Sequence, residues 1–233
     1  MQLFYAYKIE GNSAFLDTEE SRHCTKTLRK KIGDSISFTD GCGKFYTGTI
    51  VDFNKKTCQL NISETIIDKN TRDFKIHIAI APTKNINRLE WFLEKATEFG
   101  IDEISLLLCQ RSERKNIRLD RLEKIILSAA KQSLKSTFPK IHDLTKFKDF
   151  VAQDFQTYKT IAHCNSEQLP HLKTCIEEQK DILVLIGPEG DFSLEEVALA
   201  KENGFEEIGL GTSRLRTETA GLAACHIVHL VHG

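Results

Sequence analysis

Two stretches have residue types suited to chemistry and no pattern suited to a core. "LIGPEGDFS" (residues 185–193) and "GTSRLRTETAG" (residues 211–221) each stand between a strand-like apolar run and a helix-like run, about one helix and one strand apart. Glycine permits tight turns and close backbone approach to a ligand, while Pro188 fixes its own φ and withholds a donor. Neither G-x-G-x-x-G nor G-x-x-x-x-G-K-[ST] occurs, and Glu189 and Asp191 would repel a phosphate where amides should attract it. An acidic loop of this kind suits a neutral or cationic ligand held by main chain. The plainer reading is two ordinary strand-to-helix turns.

Charge adds a second kind of chemistry. The formal net charge is -1, but Arg22, Lys26, Arg29, Lys30 and Lys31 form one basic run and Arg111, Arg114, Lys115, Arg118 and Arg121 another. Each reads as a solvated helix face or as a grip on an anionic polymer. His226, His229 and His232 recur every third residue but fan around a helix with no cysteine pair to complete a tetrahedral set, so no metal is expected. His163 and Cys164 are adjacent on a strand and point to opposite faces, which argues against a nucleophile pair. Seven scattered cysteines without a C-x-x-C pair suit reduced thiols. No apolar run approaches the roughly 18 residues that span a bilayer, and the start lacks a basic segment followed by a long apolar one, so a cytoplasmic protein without membrane partners is expected.

The elements that must position these residues fall into two groups. Up to about residue 70, short strands ("LFYAY", "SISFTD", "FYTGTIVDF", "CQLNIS") surround one helical stretch, "TEESRHCTKTLRK", which carries the first basic run. That pattern predicts a small barrel or curled sheet over 1–70. The polar "DKNTRD" (68–73) marks the boundary, and from 71 to 233 strands and helices alternate. Helices are expected around residues 89–99, stopping at Gly100, and over 119–134, 168–180, 193–203 and from 218 onward, with Ser193 and Glu196 forming a capping box. The strands are "FKIHIAIAP", "IDEISLLLC", "KTIAHC", "DILVLIG" and "EEIGLG". Alternation of this sort predicts an α/β fold with a largely parallel sheet covered on both faces and "ILVLI" central. Ligands of such sheets lie beyond the carboxyl ends of the strands, where both glycine-bearing stretches fall.

"LIGPEG" followed by "LGTSRLRTETAGLAA" resembles the C-terminal signature of the SPOUT methyltransferases, specifically the ribosomal RNA small subunit methyltransferase E family. "RLEWFLEKATEFGI", "CQRSERK", "SAAKQSLKSTFPKI" and "HCTKTLRKKIGD" resemble further segments of that family, in the same order over nearly the whole chain. The resemblance implies a PUA-like β-barrel RNA-binding domain (1–70) followed by a SPOUT domain (71–233) with a deep trefoil knot, and a homodimer. It implies methylation of N3 of one uridine in 16S ribosomal RNA of the small subunit, with S-adenosyl-L-methionine as cofactor. Leu185, Ile186, Gly187, Pro188, Glu189 and Gly190 would bind that cofactor together with Leu210, Gly211, Ser213, Leu215 and Thr217. Residues 165–167 would lie near it. Ser213 departs from the family, which often carries Arg there, and Arg214 follows it; Arg216 and Glu218 match directly.

Uridine N3 bears a proton that must leave before it can attack, so a base or a cation beside the imide is required. Arg111 and Arg216 are the candidates to hold phosphate or the developing oxyanion, and Glu218 to orient an arginine or act as base. The plainer role for Glu218 is a carboxylate at a helix N-terminus. Arg22, His23, Lys26, Arg29 and Lys30, with Lys84 and Arg114, are the expected RNA contacts. Phe4, Tyr5, Tyr46 and Phe192 are candidates to stack on an exposed target base. The small-residue, apolar "AGLAACHIVHLVHG" suits either an isologous dimer interface or a helix buried on its own sheet. A transfer RNA substrate, a non-catalytic ribosome-assembly protein and a nucleotide hydrolase are the rival readings.

Overall fold

Buried and exposed side chains alternate along the strands of the first sheet, so one face closes over a core and the other stays wet. Cys58, Leu60 and Ile62 point inward on one strand while Asn61 and Ser63 point out. The computed structural model describes every residue except 1, 70, 71, 166, 167, 177, 179 and 180. The expected boundary at 70/71 and the expected cofactor neighbours Ser166 and Glu167 therefore lie outside the described residues. Two compact units are present, Met1–Thr71 with Leu127–Phe138, and Arg72–Ile126 with Pro139–Gly233.

In the first unit β1 (Leu3–Tyr5), β2 (Lys8–Glu10), β3 (Ser13–Leu16), α1 (Thr18–Arg22), a π-helical turn (His23–Thr27), β4 (Ser35–Thr39), β5 (Lys44–Phe53) and β6 (Cys58–Ile67) follow in order. The strands form a curled six-stranded sheet ordered β1-β4-β5-β6-β3-β2, with register breaks in β5 at Thr47/Gly48 and Ile50/Asp52. Such bulges bend the strand that carries them. Phe4, Leu16, Ile36, Phe38, Ile50 and Leu60 fill the core. Strands β2 and β3 were not expected from the sequence; Gly11, at φ 57°, turns one into the other. Residues 127–138 are tied in by Ser136, whose hydroxyl donates to Asp68 at 2.6 Å and whose carbonyl accepts from Thr39 at 3.1 Å.

The second unit runs β7 (Lys75–Ile80), α2 (Ile86–Phe99), β8 (Glu103–Leu108), α3 (Leu119–Gln132, which continues into the first unit), β9 (Lys140–Lys146), α4 (Phe147–Val151), β10 (Tyr158–Ala162), α5 (Leu172–Cys175), β11 (Asp181–Ile186), α6 (Leu194–Glu202), β12 (Glu206–Ile208) and α7 (Thr217–His232). All strand pairs in its sheet are parallel, in the order β12-β10-β11-β7-β8-β9. The unbroken apolar run of β11 follows from burial on both faces. Ile182, Val184 and Ile186 enter one core with Phe92 and Val228, whereas Leu183 and Leu185 enter another with Phe147 and Phe192.

Two expectations for this unit need correction. β9 and α4 occupy a stretch read as loop, because β9 is a half-exposed edge strand with no apolar alternation to signal it. Of the helix expected over 168–180, the described residues hold Leu172–Cys175, and 177, 179 and 180 lie outside the described residues. Pro170 precedes it, and its carbonyl accepts from Gly209 N at 2.9 Å while Leu172 N donates to Gly209 O, so the approach to α5 runs strand-like beside β12. The capping box of α6 is present, with Glu196 N donating to Ser193 Oγ at 3.2 Å and Ser193 N to Glu196 Oε2 at 3.0 Å. Helix α2 ends in the left-handed Gly100 (φ 88°). Helix α7 lies tight on α2: a Cβ added to Gly221 would stand 2.8 Å from the Phe92 ring and 3.1 Å from Ile80.

Candidate functional site

The carboxyl rim of the parallel sheet carries both glycine-bearing stretches. Leu185, Ile186, Gly187 and Pro188 are buried, and Glu189 and Gly190 emerge into solvent. Gly187 has no room for a side chain, since a Cβ there would meet Phe192 N at 3.1 Å. The bend is closed by Asp191, which adopts φ 61° and whose carboxylate accepts from Cys164 N and Phe192 N, each at 2.8 Å. Neighbouring strand tips hold it from outside. Arg111 Nη1 donates to Gly190 O at 2.7 Å, and Lys84 N donates to Glu189 Oε1 at 2.8 Å. Arg114 in turn donates to the carbonyls of Thr83 (3.0 Å) and Lys84 (2.6 Å). Glu113, 2.8 Å from Lys84 Nζ, holds that exposed ammonium above its usual range. Thus Arg111, Arg114 and Lys84 gather around the first stretch, where Arg111 and Arg114 spend donors on main chain.

The second stretch opens differently. Leu210 is half-buried, Gly211 and Ser213 are exposed, and Gly211 at φ 114° faces open space, so a side chain there would meet no neighbour but would strain the backbone. Thr217 begins α7 and is buried. Arg214, Leu215, Arg216, Glu218 and Thr219 line a cavity of about 540 Å³, and Asn87, Arg88 and Trp91 of α2 line its other side. Glu218 is only 7 % exposed. Its Oε1 lies 3.8 Å from Arg88 Nε, and among the described residues its buried Oε2 has no hydrogen-bond partner. The arginine oriented by Glu218 is therefore Arg88, which sequence reasoning did not single out. Arg111 does not line this cavity; it touches the first stretch.

Several candidates take other places. Phe4, Tyr46 and Phe192 are buried in cores at 1 %, 7 % and 0 % exposure and offer no face to a base, because the apolar packing of both units claims them. The exposed aromatic beside the cavity is Trp91, at 42 %. His163 is buried, with Nε2 3.1 Å from Glu207 and Nδ1 accepting from Asn165 N at 3.1 Å, so it braces the rim. Burial pushes the Cys109 thiol up, away from use as a thiolate. Among the described residues no group of three His, Cys, Asp or Glu could hold a metal ion, and no helix is long and apolar enough to cross a membrane. In the first unit Arg22, Lys26 and Arg29 are exposed, while His23 and Lys30 are half-buried on the π-helical turn and the segment after it.

Sheet and rim together define an α/β protein of the kind whose ligands lie beyond the carboxyl ends of parallel strands. Residues 70–229 match the RNA methyltransferase domain family, and residues 16–63 match the RNA methyltransferase PUA domain. The chain belongs to the RNA methyltransferase family, among the ribosomal RNA small subunit methyltransferases E. It is similar to the ribosomal RNA small subunit methyltransferase E of Buchnera aphidicola subsp. Acyrthosiphon pisum, 28% identical over 94% of this chain and 88% of that one. A probable rRNA-methyltransferase from Porphyromonas gingivalis has a crystal structure with TM-score 0.88 and 38% identity, covering 100% of this chain and 98% of that chain. The ribosomal RNA small subunit methyltransferase E of Neisseria gonorrhoeae, solved with S-adenosyl methionine bound, has TM-score 0.85 and 26% identity, covering 99% and 98%.

Proposed function

We propose that this chain methylates N3 of one uridine in the 16S RNA of the small ribosomal subunit, using S-adenosyl-L-methionine. The observation that carries the reading is Glu218, a buried carboxylate with an unpartnered oxygen, set in the first turn of α7 beside the glycine-bearing stretch that family likeness makes the cofactor grip. The rim fits that cofactor: Gly211 leaves open space at a strained φ, Gly187 leaves none to spare, and the exposed Glu189 suits a cationic sulfonium. Main chain of 185–190 and of 210, 211, 213, 215 and 217 would hold it.

The bound cofactor supplies an electrophilic methyl on a sulfonium sulfur, which keeps the bonding electron pair when the N3–carbon bond forms. Everything else falls to the chain. Glu218 Oε2 takes the N3 proton, and Arg216 faces the negative charge that appears on the uracil oxygens. Arg111 acts from further back, fixing the Gly190 carbonyl and with it the loop.

RNA is held through Arg22, His23, Lys26, Arg29 and Lys30 of the first unit and through Lys84 and Arg114 of the second. The matched spans 16–63 and 70–229 support a division into an RNA-binding domain at 1–70 and a methyltransferase domain at 71–233. We assign the second a trefoil knot and an isologous homodimer through α7, on family likeness and on its small apolar residues; sedimentation tests the dimer. The decisive experiment maps methylated nucleotides in 16S RNA from cells with and without the gene. One uridine that loses its N3 methyl supports the reading, and an unchanged map overturns it.

A further inference from the structure

The cavity between the opening turns of α2 and α7 has features that a cofactor grip does not need. Asn87, Arg88 and Trp91 are spaced so that they share one face of α2, and the apolar face, with Leu89, Phe92, Leu93 and Ala96, is buried. Phe92 is clamped under Gly221 of α7, which holds the α2 backbone in place while its neighbour Trp91 stays 42 % exposed. Trp91 is the only tryptophan of the chain. An exposed indole is a large apolar surface left in water, and here it borders a cavity that Arg88, Arg214, Arg216 and Glu218 also line. About 540 Å³ is the size of a small-molecule site. Arg88, Arg214 and Arg216 outnumber the single carboxylate, and two long helices aim their N-termini at the same space, so the cavity favours negative charge. Against that field, Glu218, which lines the cavity, keeps one buried oxygen without a partner among the described residues, a cost that an N–H or O–H donor from an entering group would relieve.

We propose that this cavity seats the acceptor pyrimidine, with Trp91 as the platform on which its ring stacks and Glu218 as the group that reads its N3–H, admitting uracil and refusing cytosine. The inference deepens the methyltransferase reading and rests on it. Uracil offers what the walls lack: a donor at N3 for Glu218 Oε2, flanked by two carbonyl oxygens for arginine donors, and a π face for the indole. Cytosine presents a lone pair at N3, which a carboxylate repels. Arg88, 3.8 Å from Glu218 Oε1, is a positioning residue that steadies the carboxylate. Selectivity of this type comes from a buried polar group that the wrong base leaves unpaired or opposed.

Because Trp91 is the sole tryptophan, its fluorescence reports on the cavity in the unaltered protein. Oligouridylate and oligocytidylate of equal length are titrated to saturation, judged by polarisation of a labelled strand, with and without S-adenosylhomocysteine. The expected result is at least a twofold quench by oligouridylate and little by oligocytidylate, with Glu218→Gln losing the distinction because an amide can donate to cytosine N3. Trp91→Ala should raise KM for unmethylated small subunits on the order of tenfold while S-adenosylhomocysteine still binds by calorimetry, and Trp91→Phe should restore KM. Equal quenching by both strands, no quenching at saturation, or a signal that follows protein concentration rather than RNA overturns the proposal; the last would place Trp91 between copies of the chain. Failure of the underlying reading looks different: S-adenosylhomocysteine does not bind and no methyl is transferred, whatever the indole reports.

Discussion

A carboxylate at the start of a helix is commonplace, and most serve only the helix dipole. Glu218 differs because, among the described residues, burial leaves one oxygen without a partner, a cost of about 1–3 kcal/mol. If Glu218 takes the N3 proton, Glu218→Gln should lower kcat by about 10²–10⁴ while S-adenosylhomocysteine binds as before. Radiolabelled methyl transfer to unmethylated subunits and calorimetry measure the two separately, and full turnover would remove Glu218 from the chemistry. At this scale the sequence was informative about main chain and poor about partners. Gly187 and Gly211 stood out by type and spacing and Glu218 by family resemblance, whereas the pairing of Glu218 with Arg88 joins residues 130 positions apart through the α2–α7 packing. Trp91 did leave a trace, as an aromatic standing off the apolar stripe of its helix.

Elements hold these residues in register, and their tolerances can be measured. Gly221 lets α7 approach α2 so closely that a methyl group there would stand 2.8 Å from the fully buried Phe92. Gly221→Ala should therefore destabilise the protein by about 1–3 kcal/mol through overpacking, outweighing the fraction of a kilocalorie that alanine returns in helix propensity; denaturant melts read this directly. On the sheet, His77 of β7 is pushed down to about 4 by burial, and its Nε2 lies 2.8 Å from Ser105 Oγ. The unfolded chain takes up that proton near pH 6.5 and the folded one only near 4, so between those values the unfolded state binds more protons and stability must fall as pH falls. The contribution is present above pH 6.5 and is lost on descending to about 4, on the order of 3 kcal/mol; His77→Gln should flatten that part of the stability profile. Long apolar runs and strong stops made β11, α2 and α6 legible in advance. The edge strand β9, the hairpin β2–β3 and the short α5 were not: β9 pairs with β8 across a helix and β3 with the distant β6, while three-residue β2 and four-residue α5 are too short to leave a periodic trace.

Across the whole molecule, the cations are concentrated locally although the chain is nearly neutral overall. Arg22, Lys26 and Arg29 are exposed, and we assign them phosphate contacts of the kind that steer a polyanion without reading its bases. Reversing Arg29 and Lys30 to glutamate should weaken small-subunit binding and lower the slope of log affinity against log salt by roughly two, with S-adenosylhomocysteine affinity unchanged; filter binding over a salt series is the measurement. The hairpin-rich first unit and the α/β second unit were both foreseeable from composition and alternation. Bonds such as Ser136 to Asp68, which tie residues 127–138 to the first unit, carry no such signal.

The π-helical turn His23–Thr27 carries the buried Cys24 and the exposed Lys26 and leads to the exposed Arg29. Its i→i+5 bonding, as from Leu28 N to His23 O at 3.0 Å, stores one residue more than an α-turn would. Excising that spare residue would relax the coil to ordinary winding with the hydrophobic interior left shut, yet would swivel the side chains beyond it by about 100°. Insertion or deletion at this one spot is thus a dial by which descendants of the gene can re-aim the cations beyond it without relearning how to fold.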